Sequence, residues 1–329
     1  MTTLAASLAQ LSNGSPQQYE HLTIFPFLDP MAREPFYLTL EEALTQGVAR
    51  ITEVSKGGNV QELLFINAGD RPVLLLDGEE LLGAKQNRVL NLTILALAHS
   101  DLTIPVSCVE QGRWHETSAT FAPSPHWHHH TGRRDRVETV SAAMESGHGA
   151  LADQERVWQH IGHMAEHLHV NSPTHAMADV FEQLGPRLDA YVHAFTAISG
   201  QTGALFALGG RMAGLEVVYS QATFAQILPK LVRSYALDAI QCGETSPASP
   251  SQDDAAAFLQ QVVHAKEERF PGIGSGESVR LHDRTLVGAG LVVEEALLHL
   301  AAFRKDGGAG TSAPAMHTRF LRASNRFRR

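Results

Sequence analysis

Between Leu74 and Trp114 the chain crowds its most reactive side chains into two strand-like runs. The first reads LLLDGEELLGAKQNRVLN and carries Asp77, Glu79, Glu80, Lys85, Gln86, Asn87 and Arg88. The second reads IPVSCVEQGRW and carries Glu110, Gln111 and Arg113 beside Trp114. Carboxylates suit proton transfer or metal binding, a lysine or arginine suits a phosphate, and an amide can orient a sugar or base. Alternate residues of a strand share a face, so an extended 85–88 puts Lys85 and Asn87 on one side and Gln86 and Arg88 on the other, while Val106, Cys108 and Glu110 share a face. One reading is a polar cleft. Glu79, Glu80 or Glu110 is its acid, base or metal ligand, Lys85 and Arg88 contact phosphate, and Gln86 and Asn87 orient sugar or base. Arg113 joins the ligand-binding set, and Trp114 either stacks on a base or ribose or closes the end of the β-lobe. The other reading is an internal ion-pair network that fixes strand register, because buried charge costs several kcal/mol unless it is paired.

A second constellation joins Arg211 to Lys230, Arg233 and Ser234. The last three lie three and four residues apart on a helix and share one side, a set suited to a phosphate or carboxylate or to a solvated helix face. No Walker-type loop accompanies it, and Gly272-Ile273-Gly274-Ser275-Gly276 lacks the preceding strand that a dinucleotide fingerprint needs. Most of the histidines lie between His115 and His193. His126, His128, His129 and His130 cluster in one stretch, and His160, His163 and His167 form a helical stripe. Such imidazoles can bind zinc, copper or nickel, but neither Cys pairs nor HExxH accompany them, so the expectation is no stoichiometric metal. Cys108 reads as a buried strand cysteine rather than a nucleophile. No cofactor is assigned.

The elements that must position these groups follow from pattern. Thr39–Thr45 reads as a helix with a capping box, since Glu42 stands three residues after Thr39. His21–Pro26 and most of 48–109 read as strands. Residues 114–150, with Pro123 and Pro125, read as a long surface excursion. Val157, Ile161, Met164 and Leu168 form an apolar helical stripe, and a second helix starts at Ser172-Pro173. Gly209-Gly210 marks a hairpin. Residues 222–240 read as an amphipathic helix around Pro229, 253–270 as another helix, and SVRLH and TLVGAGLVV as strands. The fold class expected is α+β: an antiparallel β-rich N-terminal lobe packed with a helical segment and a C-terminal α+β lobe. Its divisions are a mobile 1–20, a β-rich lobe over 21–118, the excursion over 119–150, the helical and α+β lobe over 151–302, and a basic, disordered tail over 303–329.

Composition sets outer bounds. The chain has 329 residues, 43% of them hydrophobic, and a net charge of −9. That is an ordinary globular composition with length for one large or two smaller cores. No apolar run approaches a membrane span, no secretory signal is evident, and two cysteines fit a reduced, cytoplasmic setting. The last eleven residues carry five arginines and no acid. The acidic remainder argues against nonspecific nucleic-acid binding, and only the tail offers such a contact. Oligomeric state is left open.

DGEELLGAKQNR followed by IPVSCVEQGRW resembles the signature of the ARG and Rhodanese-Phosphatase-superfamily-associated protein domain. The similarity continues through GRMAGLEVVYSQATFAQILPKLVRSYALDAI and spans roughly residues 21 to 302. That family's name records gene neighbourhoods with ADP-ribosylglycohydrolases and phosphatases. The resemblance therefore implies a place near NAD or ADP-ribose metabolism, with a nucleotide-related small molecule as ligand, and implies no particular catalytic mechanism. The alternative is a non-enzymatic interaction or scaffold module whose charged strands are structural.

Overall fold

The computed structural model describes residues 3–31, 33–242 and 249–305. Its elements run α1 (Thr3–Ala9), β1 (Ser12–Asn13), β2 (Gln17–Tyr19), β3 (Leu22–Leu28), β4 (Leu38–Thr39), α2 (Leu40–Thr45), β5 (Ala49–Glu53), β6 (Glu62–Asn67), β7 (Val73–Leu75), β8 (Glu79–Gly83) and β9 (Arg88–Leu90). There follow β10 (Ile94–Ala96), β11 (Ser100–Cys108), β12 (Phe121–Trp127), α3 (His130–Glu145), α4 (Gln154–His167), α5 (Met177–Gln183) and α6 (Gly185–Ala194). The last part holds β13 (Gln201–Leu208), β14 (Arg211–Val218), α7 (Gln221–Ile240), α8 (Gln252–His264), β15 (Lys266–Pro271), β16 (Glu277–His282), β17 (Leu286–Val293) and β18 (Ala296–Arg304). The class is α+β.

Local chemistry explains several of these boundaries. Thr39 caps α2 by accepting from Glu42 N, and the Glu42 carboxylate accepts from Thr39 N, so both halves of the capping box form. Gly209 and Gly210 take φ of 53° and 78°, the pair of positive values a tight hairpin needs between β13 and β14. Val157, Ile161 and Met164 are buried on α4. Each contributes about 1.5–3 kcal/mol by leaving water.

Among the described residues there are three sheets. The largest is antiparallel, in the order β1-β3-β13-β14-β18-β17-β16-β15, with β2 also on β3. One of its faces packs Phe25, Leu205, Val279 and Leu300 against Leu4 and Leu8 of α1 and Phe258 and Val262 of α8. The other face packs Ile24, Phe206, Val287 and Phe303 against α4, α5, α6 and α7. The β-lobe contains a six-stranded antiparallel sheet, β12-β8-β9-β11-β6-β5, and a small sheet β10-β7-β4 in which β4 and β7 run parallel. Ile51, Phe65, Leu81 and Ile104 build its separate core. Helix α3 joins the two halves, because Val137 belongs to the first core and Val140 to that of the β-lobe.

Four expectations change. The stretch read as a surface excursion is strand β12 and helix α3, and half of α3 is buried. The apolar periodicity that would mark it is missing because the buried face of α3 carries His130, Arg133 and Arg136. The prolines fit because β12 lies at a sheet edge. Within 1–20, read as mobile, Leu4 and Leu8 are one helical turn apart and bury together. The second helix of the helical segment begins at Met177, not at Ser172-Pro173. Ser172 Oγ instead accepts from Ala176 N and donates to Asp179. The helix read over 253–270 ends at His264, and KEERFP becomes β15. A strand therefore does precede Gly272–Gly276, but β16 follows it, so the glycines form a hairpin turn. Ser275 N there bonds Leu95 O at 2.8 Å, tying that turn to the β-lobe. The arginines of the last eleven residues lie outside the described residues.

Candidate functional site

The β-lobe motif closes on itself. Arg113 Nε meets Glu110 Oε1 at 2.8 Å and Arg113 Nη2 meets Oε2 at 2.7 Å, a two-point ion pair. Asn87 N and Thr174 Oγ1 donate to the same carboxylate at 3.1 and 3.0 Å. Burial opposes the charge on Glu110, but the Arg113, Asn87 and Thr174 hydrogen bonds outweigh it and hold the carboxyl below its usual range. Arg113 also donates to Ala84 O at 2.7 Å and to Asn87 Oδ1 at 3.1 Å, and Asn87 Oδ1 accepts from Gly83 N, so the guanidinium staples the 83–87 turn. Gln86 Nε2 reaches Glu110 O.

The remaining motif residues are spread around this knot. Lys85 Nζ bonds the carbonyls of Lys56 and Gly57 at 2.8 and 3.0 Å and sits over Trp114, which is 47% exposed. Arg88 is fully buried, and burial lowers its pKa. Its guanidinium lies 5.7 Å from the Trp114 ring. Glu79 and Glu80 point to opposite sides of β8. Glu79 accepts from Leu76 N at 2.8 Å, and burial pushes it up to about 7 despite the pull of Lys230. Glu80 accepts from Ser124 Oγ at 2.7 Å and is pushed up to about 8 by burial. Cys108 is buried with a raised pKa, so its thiol is protonated at neutral pH.

The second constellation does not assemble. Lys230 pairs with Glu41 at 2.8 Å, Arg233 with Asp189 at 2.6 Å, and Ser234 Oγ donates to His128 O in the interior. Arg211 lies away from them, at the start of β14, and is exposed.

Sequence reasoning passed over a third group, and it is centred on α3. On the buried side of that helix, Arg133 pairs with Glu216 at 2.5 Å, His299 Nε2 approaches the same carboxylate at 3.3 Å, and His299 Nδ1 meets Thr93 Oγ1 at 2.7 Å. Arg136 pairs with Asp77. Gly78 permits the arrangement: a Cβ there would meet Arg133 Nε at 2.7 Å. Arg280, 1% exposed, stands in the field of Asp77 and Arg136 with its pKa lowered by burial to about 10. Isolated charges inside apolar strands, Glu216 in GLEVV, Arg280 in SVRLH and His299 in LLHLAAF, were the signal available for this network.

At the N-terminal end of α3 the surface opens. A cleft of about 290 Å³ is lined by His130, Thr131, Arg134, Arg211, Asp238, Arg304 and Lys305, among others. Beside it, a cleft of about 240 Å³ is lined by His129, His160, His163, His167 and again Thr131 and Asp238. The two are halves of one trough, parted where Thr131 Oγ1 donates to Asp238 at 2.5 Å. The N-terminal end of a helix favours negative charge, and Asp238 supplies one such group. Burial nevertheless raises the Asp238 pKa, against the pull of His130 and Thr131. In the first half, four cations face this one carboxylate. Arg134 and Lys305 are engaged by Asp135 and Glu138, whereas Arg211 and Arg304 have no ion-pair partner among the described residues. Arg211 and Arg304 also line a cleft of about 310 Å³ that continues toward α8. Of the ligand-binding residues expected from sequence, Arg211 alone lines these clefts.

The model of the ARG and Rhodanese-Phosphatase-superfamily-associated Protein domain matches residues 10–303. The chain belongs to this family. The matched span includes the β-lobe motif and the trough residues other than Arg304 and Lys305, which follow it directly. No curated protein and no solved structure matches the chain significantly. Among the described residues no helix is long and apolar enough to cross a membrane.

Proposed function

We propose that this member of the ARG and Rhodanese-Phosphatase-superfamily-associated family binds a phosphate-bearing small molecule of the NAD or ADP-ribose type. The ligand takes the basic half of the trough at the N-terminal end of α3 rather than the β-lobe motif. The observation that carries this reading is the convergence of Arg134, Arg211, Arg304 and Lys305 on one cleft that holds a single carboxylate, Asp238. Arginine presents a planar fork of donors that matches phosphate oxygens, and Arg211 and Arg304 have theirs uncommitted to any described acid. The family's association with ADP-ribosylglycohydrolases and phosphatases favours the nucleotide class. His130 and Asp238 at the cleft floor are the groups able to exchange a proton with a bound ligand, so processing of the ligand is an extension of this reading. A cytoplasmic setting suits such a ligand.

A second reading is favoured by the geometry of Glu110, Arg113 and Asn87. Those charges satisfy one another, as expected of an interaction module whose polar strands serve its own fold. A thermal-shift screen against ADP-ribose, NAD and inorganic phosphate separates the two. A ligand at ~100 times its Kd stabilises the native state by about 2.7 kcal/mol, so melting should rise clearly with the nucleotide ligands. A flat response to all three supports the interaction module.

A further inference from the structure

We infer that the cleft beside α8 is the second half of the ligand site, and that the ligand is two-ended: a diphosphate held by Arg211 and Arg304, with a nucleobase against α8 and a sugar in the trough. This rests on the proposed binding of a phosphate-bearing ligand at the trough, and it adds where the far end of that ligand lies. Arg211 begins β14 and Arg304 ends β18, neighbouring antiparallel strands, so both stand at the same end of the large sheet. The trough opens on the sheet face covered by α3 and α7, and the second cleft on the face covered by α8. Arg211, Met212 and Arg304 line both, so the two clefts meet at the strand ends. The β13–β14 turn that borders this junction is Gly209-Gly210, which puts no side chain in the way.

The chemistry of the two clefts differs, and the difference assigns the ends. Asp254, Ala257, Phe258 and Gln261 follow helical spacing and present one side of α8 to the second cleft. Phe258, Ala257 and Pro250 give it an apolar floor, and the exposed Gln261 makes no side-chain hydrogen bond among the described residues. An amide carries both donors and an acceptor, which suits the edge of a base lying on such a floor. Beyond the shared arginines this cleft offers only the charge of Asp254, whose carboxylate is taken up by Ser251 in the cap of α8. The trough side offers Thr131 and Asp238, groups that bond sugar hydroxyls, with Arg134 and Lys305 as further cations. At the junction two guanidiniums without a described acid meet two phosphates, each of which carries one negative charge in a diphosphate diester. Cleft volumes of about 290 and 310 Å³ each stand at the lower limit for a small-molecule site, and joined they fall within its usual range.

The test is calorimetric titration of the full-length protein with ADP-ribose and with inorganic pyrophosphate, which has no ends to place. Ala257→Trp fills the α8 cleft from an exposed position, Gln261→Ala removes its amide, and Ala256→Trp adds the same bulk at an exposed neighbour that does not line it. The expected result is that ADP-ribose binding weakens about tenfold or more in Ala257→Trp and about threefold or more in Gln261→Ala, and is unchanged in Ala256→Trp. Pyrophosphate binding should stay at the parent's level in all three variants. ADP-ribose binding that is as tight in Ala257→Trp and Gln261→Ala as in the parent would overturn the two-ended ligand and leave phosphate binding at the trough standing. Equal loss of both probes in Ala257→Trp would also overturn it, since a ligand confined to the arginines explains that result. A parent protein that binds neither probe would overturn the trough reading itself.

Discussion

Glu110 in the β-lobe and Asp238 on α7 are both carboxylates among arginines, yet their surroundings oppose each other. Glu110 is gripped by Arg113 at two points and by Asn87 and Thr174, and its pKa falls. Asp238 takes its hydrogen bonds from Thr131, its pKa rises, and two of the arginines beside it have no described acid to pair with. Within the dense run of charge Glu110 and Arg113 neutralise each other, Lys85 is held by backbone carbonyls, and burial drives Glu79 and Glu80 toward the neutral form. The open site is assembled from residues dispersed over α3, β14, α7 and β18. Density of polar residues reports the need for partners, and only the fold shows whether those partners are internal.

The comparison breaks most readily at Glu110 and Arg113. Glu110→Ala or Arg113→Ala leaves a charge without its partner in a buried setting, at an expected cost of about 3–5 kcal/mol in urea melts. The double variant should recover part of that loss, because it strands neither group. Single variants that melt like the parent would show that the motif is open after all.

Acidity sharpens the same contrast. Burial raises the folded-state pKa of Glu80 from 4.5 to about 8, so between those values the native state holds a proton that the unfolded state has released. Stability from this group is full below the unfolded pKa and declines as pH rises through the folded one, by up to about 1.4 kcal/mol per pH unit. Glu80→Gln should flatten the fall in stability between pH 5 and pH 8. An unchanged slope would mean that Glu80 is already ionised, as it would be in a wet cleft.

Arg211→Ala is expected to have the smallest effect on stability, within about 0.5 kcal/mol, because the side chain is exposed and unpaired among the described residues. A loss above 2 kcal/mol would place Arg211 in a structural role.

Much of the frame was readable. The α2 capping box, the Gly209-Gly210 hairpin, the α4 stripe and the succession of β-lobe strands each rest on local rules that the structure obeys. What was not readable is α3. Its inward residues are His130, Arg133 and Arg136, whose burial depends on Glu216 and Asp77 far away in sequence, so no local pattern marks it as interior. The trough inherits this problem, since His129, Thr131 and Arg134 belong to the same stretch. Lys230 and Arg233 show the converse: helical spacing put them on one side, but Glu41 and Asp189 draw them apart.

The central claim is that ligand binding resides at the α3 trough and not at the β-lobe motif. Calorimetric titration of ADP-ribose into the parent protein, Arg211→Ala and Lys85→Ala tests it most directly. The account predicts that Lys85→Ala binds like the parent and that Arg211→Ala weakens binding about tenfold or more, with both variants folded. Binding lost in Lys85→Ala and retained in Arg211→Ala would contradict it.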